Sequence, residues 1–407
     1  MSVENKVPEV RFEGFSDEWV EKPLNHEVEL FSGLTYSPKD IRKEGVFVIR
    51  SSNVKNGQIV QADNVYVNPE VVNCNNVKKG DIIVVVRNGS RALIGKHAQV
   101  NSLMDNTVIG AFMTGVRASY PEFINALFDT DKFKAQVEKN LGATINQITN
   151  GAFNSMVFMF PEGQEKTAIG NIFQKLDNLI NQHQQKHDKL SNIKKAMLEK
   201  MFPKQGETIP KIRFKGFSGE WDEKELGTDV ADIVGGGTPN TSISEFWNGD
   251  IDWYSPTEIG SNVYAEGSQK KITALGLNSS SAKILPAGST VLFTSRAGIG
   301  DMAILKKSGT TNQGFQSFVV KEGFVPYFIY SAGKQIKEYA LKHASGSTFL
   351  EISGKQLGRM KILVPCETEQ TAIGNYFQKL DALINQHQQQ ITKLNNIKQA
   401  CLSKMFV

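Results

Sequence analysis

Cysteine is scarce in this chain. Cys74, Cys366 and Cys401 are too dispersed to frame a metal site, and three is an odd count for a disulfide framework, so a reducing cytoplasm is expected. Long apolar runs are missing too. No stretch of eighteen apolar residues occurs and no charged-then-apolar leader opens the chain, which predicts a soluble, unexported, cytoplasmic protein with no membrane partner. Charge of one sign is also lacking: 46 Lys and Arg against 42 Asp and Glu leave a net +4, compatible with nucleic acid but too weak to argue for it. The signatures of catalysis are absent as well. A methyltransferase needs a glycine-rich cofactor loop after a strand and a polar-Pro-Pro-aromatic tetrapeptide, and neither is here. The stretch from Gly89 to Lys96 has one residue too many between its glycines for a phosphate loop and continues into His97 instead of Ser or Thr. No catalytic group, no metal site and no cofactor bound by this chain are therefore expected.

What the chain does have is repetition. The run Glu165 to Lys186 returns as Glu369 to Gln390 with 18 of 22 positions identical, and the offset of 204 holds from Leu190–Phe202 to Leu394–Phe406. A second repeat opens each half: Pro8 to Trp19 returns as Pro210 to Trp221, 8 of 12 identical, and its Arg, Phe and Trp read as packing residues at the base of each domain. A fixed offset dictates a two-part architecture before any local assignment is made. Between these repeats the two halves diverge strongly while keeping nearly equal length.

The repeated run reads as a long helix. Ile169, Leu176, Leu190 and Met197 follow a seven-residue spacing, with Ile172, Leu179 and Ile193 three residues after members of that series and Phe173, Ile180 and Met201 beside it. This is the pattern of a coiled-coil seam. About 38 residues at 1.5 Å each would span roughly 57 Å. Pro161 and Pro365 precede the helices and Pro203 follows the first. Two such helices in one chain are expected to pack on each other, with the polar His183 and His387 at matching seam positions fixing the register. His187 stands one turn after His183, as a metal pair would, but Ile391 takes its place in the second copy.

Inside the divergent segments, apolar β-branched or aromatic runs predict strands near 46–50, 81–87, 156–160, 251–254, 289–294 and 360–364. Amphipathic helical stretches are expected near 121–140 and 326–342. Matching runs that begin at Gly142 and Gly346 imply a shared fold. The fold class is thus α+β: two mixed α/β domains separated by two long helices that form an antiparallel coiled coil, a pseudo-twofold tandem repeat. The predicted boundaries are 1–161 and 204–365 for the divergent domains, and 162–203 and 366–407 for the helices.

One kind of loop stands out in both domains. No Asp or Glu occurs from Ile82 to Met104, while Arg87, Asn88, Ser90, Arg91, Lys96 and His97 follow a strand in a glycine-punctuated loop. The second half places Ser295 and Arg296 after the equivalent strand, then Thr311, Asn312 and Gln313. Arg50, Ser51 and Asn53 follow another strand, as do Ser255 and Thr257 in the second half. Arg, Asn and Gln are the side chains that make paired hydrogen bonds to base edges, and Lys, Ser and Thr suit phosphates. On parallel loops of two related domains they point to double-stranded DNA as a partner.

The arrangement resembles the specificity (S) subunit of Type I restriction-modification enzymes. The resemblance rests on the repeated helix motif, on Gly237-Thr-Pro239 followed by Phe246-Trp-Asn-Gly-Asp-Ile-Asp-Trp253, and on Arg296-Ala-Gly-Ile-Gly300, Thr311-Asn-Gln-Gly-Phe315 and Gly346-Ser-Thr348. The first half departs in its longer glycine loop after Arg87. The resemblance implies a non-catalytic subunit whose two target-recognition domains each read one part of a split, asymmetric DNA site. It implies that the helices set the spacer and dock two modification (methyltransferase) subunits using S-adenosylmethionine, which restriction (motor and nuclease) subunits join with ATP and Mg. A structural coiled-coil adaptor and a fused methyltransferase-specificity chain are the other readings; the acid-free loops disfavour the first and the missing cofactor motifs the second.

Overall fold

The computed structural model describes residues 6–142, 146–346 and 350–407. The matching runs at Gly142 and Gly346 lie partly outside the described residues, including Ser347 and Thr348 of the family motif. The chain forms two compact units, one made of 1–184 with 389–407 and the other of 185–388. Each long helix therefore gives one half to each unit, where the sequence had suggested whole helices between domains.

In the first unit, the apolar run Ile82–Val85 is buried along its length and sits in a four-stranded antiparallel sheet with the order Val28–Ser32, Met113–Ala118, Ile82–Val85, His97–Gln99. A second sheet places Thr107–Ile109 parallel to Val46–Ile49, followed by Val65–Val67 and Ile41–Arg42. A ribbon of Val20–Pro23 and Val157–Phe160 closes the base. The helical stretch expected at 121–140 is two helices, Pro121–Asp129 and Asp131–Asn140. Thr130 leaves helical geometry with ψ 155 and its hydroxyl accepts from the Phe133 N–H at 3.2 Å, capping the second helix. The break lets Phe128 stack on Phe133 at 4.3 Å inside the core.

The second unit repeats this plan. Its sheet runs Ala231–Gly235, Gln316–Val320, Thr290–Phe293, Met302–Leu305, Tyr264–Ala265, and Gly309–Thr311 lies parallel to Trp247–Tyr254 beside Lys270–Ile272. The ribbon is Asp222–Glu225 with Lys361–Val364. Here too the expected single helix is two, Pro326–Ser331 and Gly333–His343. The two divergent sequences thus share the order of seven sheet strands and differ at the edges, where the second unit adds Tyr264–Ala265 to one sheet and lacks a counterpart of Ile41–Arg42 in the other.

The opening repeats do pack at the base of each unit. Trp19 is buried against Phe123 and Phe406, and Trp221 against Phe202 and Phe328. Arg11 grips Glu165 with two hydrogen bonds of 2.7 Å, and Arg213 grips Glu369 at 2.7 and 2.6 Å. Both carboxylates are almost fully enclosed.

The long helices are Gly163–Lys200 and Glu367–Met405. Within the first unit Phe173 meets Phe406 at 5.8 Å and Asp177 meets Lys398 at 2.5 Å; within the second, Phe377 meets Phe202 at 6.4 Å and Asp381 bonds Lys194. In both, an advance along one helix goes with a retreat along the other, so the helix halves within each unit lie antiparallel. The inward columns differ from the expected ones. Phe173, Met201, Phe377, Ile391 and Met405 are buried, whereas Leu179, Ile193, Leu383 and Ile397 are 36–44% exposed. The partner column thus lies four residues after the Ile169 series, not three, and the largest rings take the interior. His183 and His387 are half-buried in the Ile169 and Ile373 columns. Among the described residues no helix is long and apolar enough to cross a membrane, and no group of three metal-ligating side chains forms.

Candidate nucleic-acid interface

In each unit the strands deliver several loops to one place. In the first, the buried strand Val46–Ile49 ends at Arg50, and the 3-10 turn Ser51–Asn53 follows. The Asn53 Oδ1 accepts from the Arg50 N–H at 3.0 Å, and its amide donates to the Ala62 carbonyl at 2.7 Å and the Asn64 Oδ1 at 3.1 Å. Asn88, after the strand Ile82–Val85, donates to the Ser51 hydroxyl at 3.2 Å. Its backbone N–H reaches the Asn146 carbonyl, and Val86 N–H reaches the Phe112 carbonyl. Loops from four parts of the sequence therefore converge around Ser51, Arg87, Asn88 and Phe112.

The second unit builds the same junction. Ser255 begins the turn Pro256–Glu258, and the Glu258 carboxylate accepts from the Ser255 N–H at 2.7 Å, in the place Asn53 takes in the first unit. Asn312 N–H donates to the Tyr254 carbonyl at 3.0 Å, Ser295 N–H to the Gly314 carbonyl at 2.8 Å, and Ile352 N–H to the Ser295 carbonyl at 3.1 Å. The Thr257 hydroxyl lies 3.1 Å from that of Ser255, and Thr238 donates to Gln313. The loop after Arg296 is tightly wound. Ala297 sits in the left-handed region at φ 53, and the Thr294 hydroxyl donates to the Gly298 carbonyl at 2.6 Å and accepts from the Asp301 N–H at 2.9 Å. A non-glycine residue there costs about 1 kcal/mol, which the surrounding bonds offset. Beneath the loops, burial first, with Asp252 and Glu258 adding to it, pushes the Tyr254 phenol up to about 12, so it stays neutral.

The two arginines are structural equivalents. Arg87 forms an antiparallel bridge with Gln147 and Arg296 one with Glu351, and Gln147 and Glu351 are themselves related by the 204-residue offset. What surrounds them differs. The Arg87 guanidinium lies 4.9 Å over the ring of the exposed Phe112, while Arg296 lies 3.9 Å from the Glu351 carboxylate. Phe112 was not among the residues singled out from the sequence; an aromatic in an apolar run reads as core, and only its coordinates place it at the surface.

Three expected contact residues are corrected. Asn53 and Ser295 are fully enclosed and Thr311 is 1% exposed. Asn53 is occupied in closing its turn, Thr311 lies in the buried strand Gly309–Thr311, and Ser295 carries the backbone bonds to Gly314 and Ile352. They support the loops and present no side chain at the surface. Two further arginines are engaged by acids: Arg50 with Asp63 at 2.7 Å and Arg91 with Glu138 at 2.5 Å. Ser90 is exposed at the start of the turn Arg91–Leu93, and Lys96 is half-buried just before the strand His97–Gln99. The Ser90 N–H donates to the Asn88 Oδ1 at 3.0 Å, so Ser90 joins the Ser51–Asn88 junction through its backbone.

The Type I restriction modification DNA specificity domain matches the chain twice, over residues 16–192 and 218–396. The Type I restriction enzyme MjaIX specificity subunit of Methanocaldococcus jannaschii is 35% identical over 192 residues, covering 46% of this chain and 44% of that one. The EcoR124I/EcoR124II specificity subunit of Escherichia coli is 34% identical over 183 residues, covering 43% and 44%. These matches span less than half the length of either relative. A crystal structure of a Type-I restriction-modification system S subunit from M. genitalium shares the fold with a TM-score of 0.61 at 15% identity, covering 98% of this chain and 99% of that one. With both halves matched, the chain belongs to the family of Type I restriction modification DNA specificity domain proteins.

Proposed function

We propose that this chain is the sequence-reading, non-catalytic subunit of a Type I restriction-modification complex, each unit reading one part of a bipartite, asymmetric double-stranded DNA target. The observation that carries this reading is the equivalence of Arg87 and Arg296: one scaffold delivers an arginine to the same junction twice, amid side chains that differ. An arginine at a loop junction can pair with guanine O6 and N7 in the major groove, and differing neighbours make the two half-sites differ. The modest net charge fits a subunit whose partners supply much of the phosphate contact.

Two modification subunits would dock on the long helices, where Leu179, Ile193, Leu383 and Ile397 leave an apolar row repeated at offset 204. S-adenosylmethionine, ATP and magnesium would belong to the modification and restriction subunits.

The test is to purify the chain with its modification subunits and map methylated adenines on a plasmid; absence of sequence-specific methylation overturns the proposal. In that assay Arg296→Ala is expected to cost about 1–3 kcal/mol of discrimination at one base pair of one half-site and to leave the other half-site intact. Uniform weakening across all bases would make Arg296 a phosphate contact instead.

Spacer length supplies a second measurement. Because the packed columns repeat every seven residues, one heptad inserted after Gln184 and another after Gln388 leaves each unit's own contacts unchanged. Each insertion adds about 10.5 Å at 1.5 Å per residue. The mapped target is expected to keep both half-sites and gain about three unread base pairs at 3.4 Å each. An unchanged spacer would leave the helices as docking surfaces only.

A further inference from the structure

Of the arginines considered above, Arg87 alone rests on an aromatic ring at the junction, and that ring is 53% exposed. Phe112 is the one aromatic of this unit in the exposed class among the described residues, and what singles it out is the guanidinium over its face. The Phe112 carbonyl accepts from both Val86 N–H at 3.1 Å and Arg87 N–H at 3.2 Å, so the loops carrying ring and guanidinium are locked together. The second unit could not use the same device. Gly314 holds the matching place, since its carbonyl accepts from Ser295 N–H, and a Cβ there would stand 2.8 Å from the Pro256 Cγ and 2.9 Å from the Asn312 Oδ1. There the arginine has the Glu351 carboxylate beside it instead.

We propose that Phe112 is a positioning residue for base reading in the first unit: its ring holds the Arg87 guanidinium flat, so that the paired N–H donors meet one base edge. This rests on the DNA-reading function proposed above. Stacking on a ring face orients a planar guanidinium and limits its rotamers before binding, and an arginine without the platform must lose that freedom on the DNA.

The experiment maps methylation by the full complex carrying wild-type chain, Phe112→Ala, Phe112→Tyr, Arg87→Ala, or Phe112→Ala with Arg87→Ala. Phe112→Ala is expected to relax the preference at one base pair of one half-site by about fivefold or more, the lower range for losing a paired base contact. That pair is expected to be G·C, and the other half-site should be unaffected. Phe112→Tyr keeps a platform and should read as wild type. In the Arg87→Ala background the loss of Phe112 should add nothing, because the ring acts through the arginine. Further relaxation in that background would make Phe112 a contact in its own right and overturn the proposal, as would unchanged base preferences in Phe112→Ala. With the ring so exposed, the melting temperature serves as a folding control and should move little. If the wild-type complex itself methylates without sequence preference, the function proposed above fails; if it reads a bipartite site and only Phe112→Ala is silent, the positioning role alone fails.

Discussion

Arg11→Ala is expected to destabilise the first unit by about 3 kcal/mol, the cost of leaving a buried charge without its partner. Glu165 is 1% exposed and its two oxygens are both taken by the Arg11 guanidinium at 2.7 Å, so no water shell stands ready to replace the arginine. The same hydrogen bonds come first among the causes that raise the Arg11 pKa, ahead of the desolvation that opposes them. The second unit repeats the arrangement with Arg213 and Glu369, so Arg213→Ala should behave alike. For units of this size about 3 kcal/mol lowers the melting temperature by roughly 6–12 °C, which scanning calorimetry reads directly. Lysine should not rescue, because an ammonium cannot form the two parallel bonds. Replacing both partners with methionine should recover most of the loss, since an apolar pair leaves no unpaired charge. A loss under about 1 kcal/mol for the single substitution would mean that water reaches Glu165, as in an exposed pair.

The clamp also explains why the opening and helix repeats recur together. Arg11 and Glu165 lie far apart in sequence, yet the guanidinium ties the opening segment to the first turn of the long helix, as Arg213 does with Glu369. Each unit fixes its divergent sheets to its helix through this contact and through Trp19 or Trp221. The sheets are free to differ in surface residues because their attachment does not.

Much of this was legible in the sequence because repetition and periodicity leave a trace in residue types. Ile82–Val85 and Thr290–Phe293 read as buried strands because an apolar run bounded by glycine or charge has few other uses. The inward face of the long helices was harder to read. Ile172 and Leu179 on one side and Phe173 and Ile180 on the other are all apolar, and packing chose the column with the larger rings. Loop residues gave the weakest signal. Asn53 and Thr311 have the composition of a surface, but their polar groups are satisfied by backbone or lie in a buried strand. The match of Arg87 to Arg296 was readable from their place after equivalent strands, but the longer loop after Arg87 left its register open, and the bridges to Gln147 and Glu351 fix it.

The other large effect concerns Lys398. Its ammonium lies 2.6 Å from Asp129 and 2.5 Å from Asp177, with His97 on the far side of Asp129 at 3.5 Å. Burial works to lower the lysine pKa, but the two carboxylates outweigh it and hold the pKa above its ordinary value. The lysine's contribution is therefore present at neutral pH and is lost only as pH rises past the ordinary lysine range. Asp177 is raised, chiefly by burial, even with Lys398 beside it. Lys398→Met would leave the partly buried Asp177 and Asp129 carboxylates near each other without their shared cation and is expected to cost about 3 kcal/mol at pH 7. The equivalent Lys194→Met should cost less. Only Asp381 loses its cation there, and the Tyr327 hydroxyl still donates to it at 2.7 Å. Removing Lys398 also removes what lowers the Asp177 pKa, so that pKa climbs further in the folded variant. A carboxyl raised in the folded state favours folding when protonated and loses that contribution as pH rises through its folded pKa. The deficit of Lys398→Met should accordingly shrink as pH falls from 7 through the raised Asp177 pKa, in melting curves taken beside wild type at each pH. A deficit that stays constant over that range, or equal losses for the two lysines, would show that the Asp129–Lys398–Asp177 cluster contributes through packing alone.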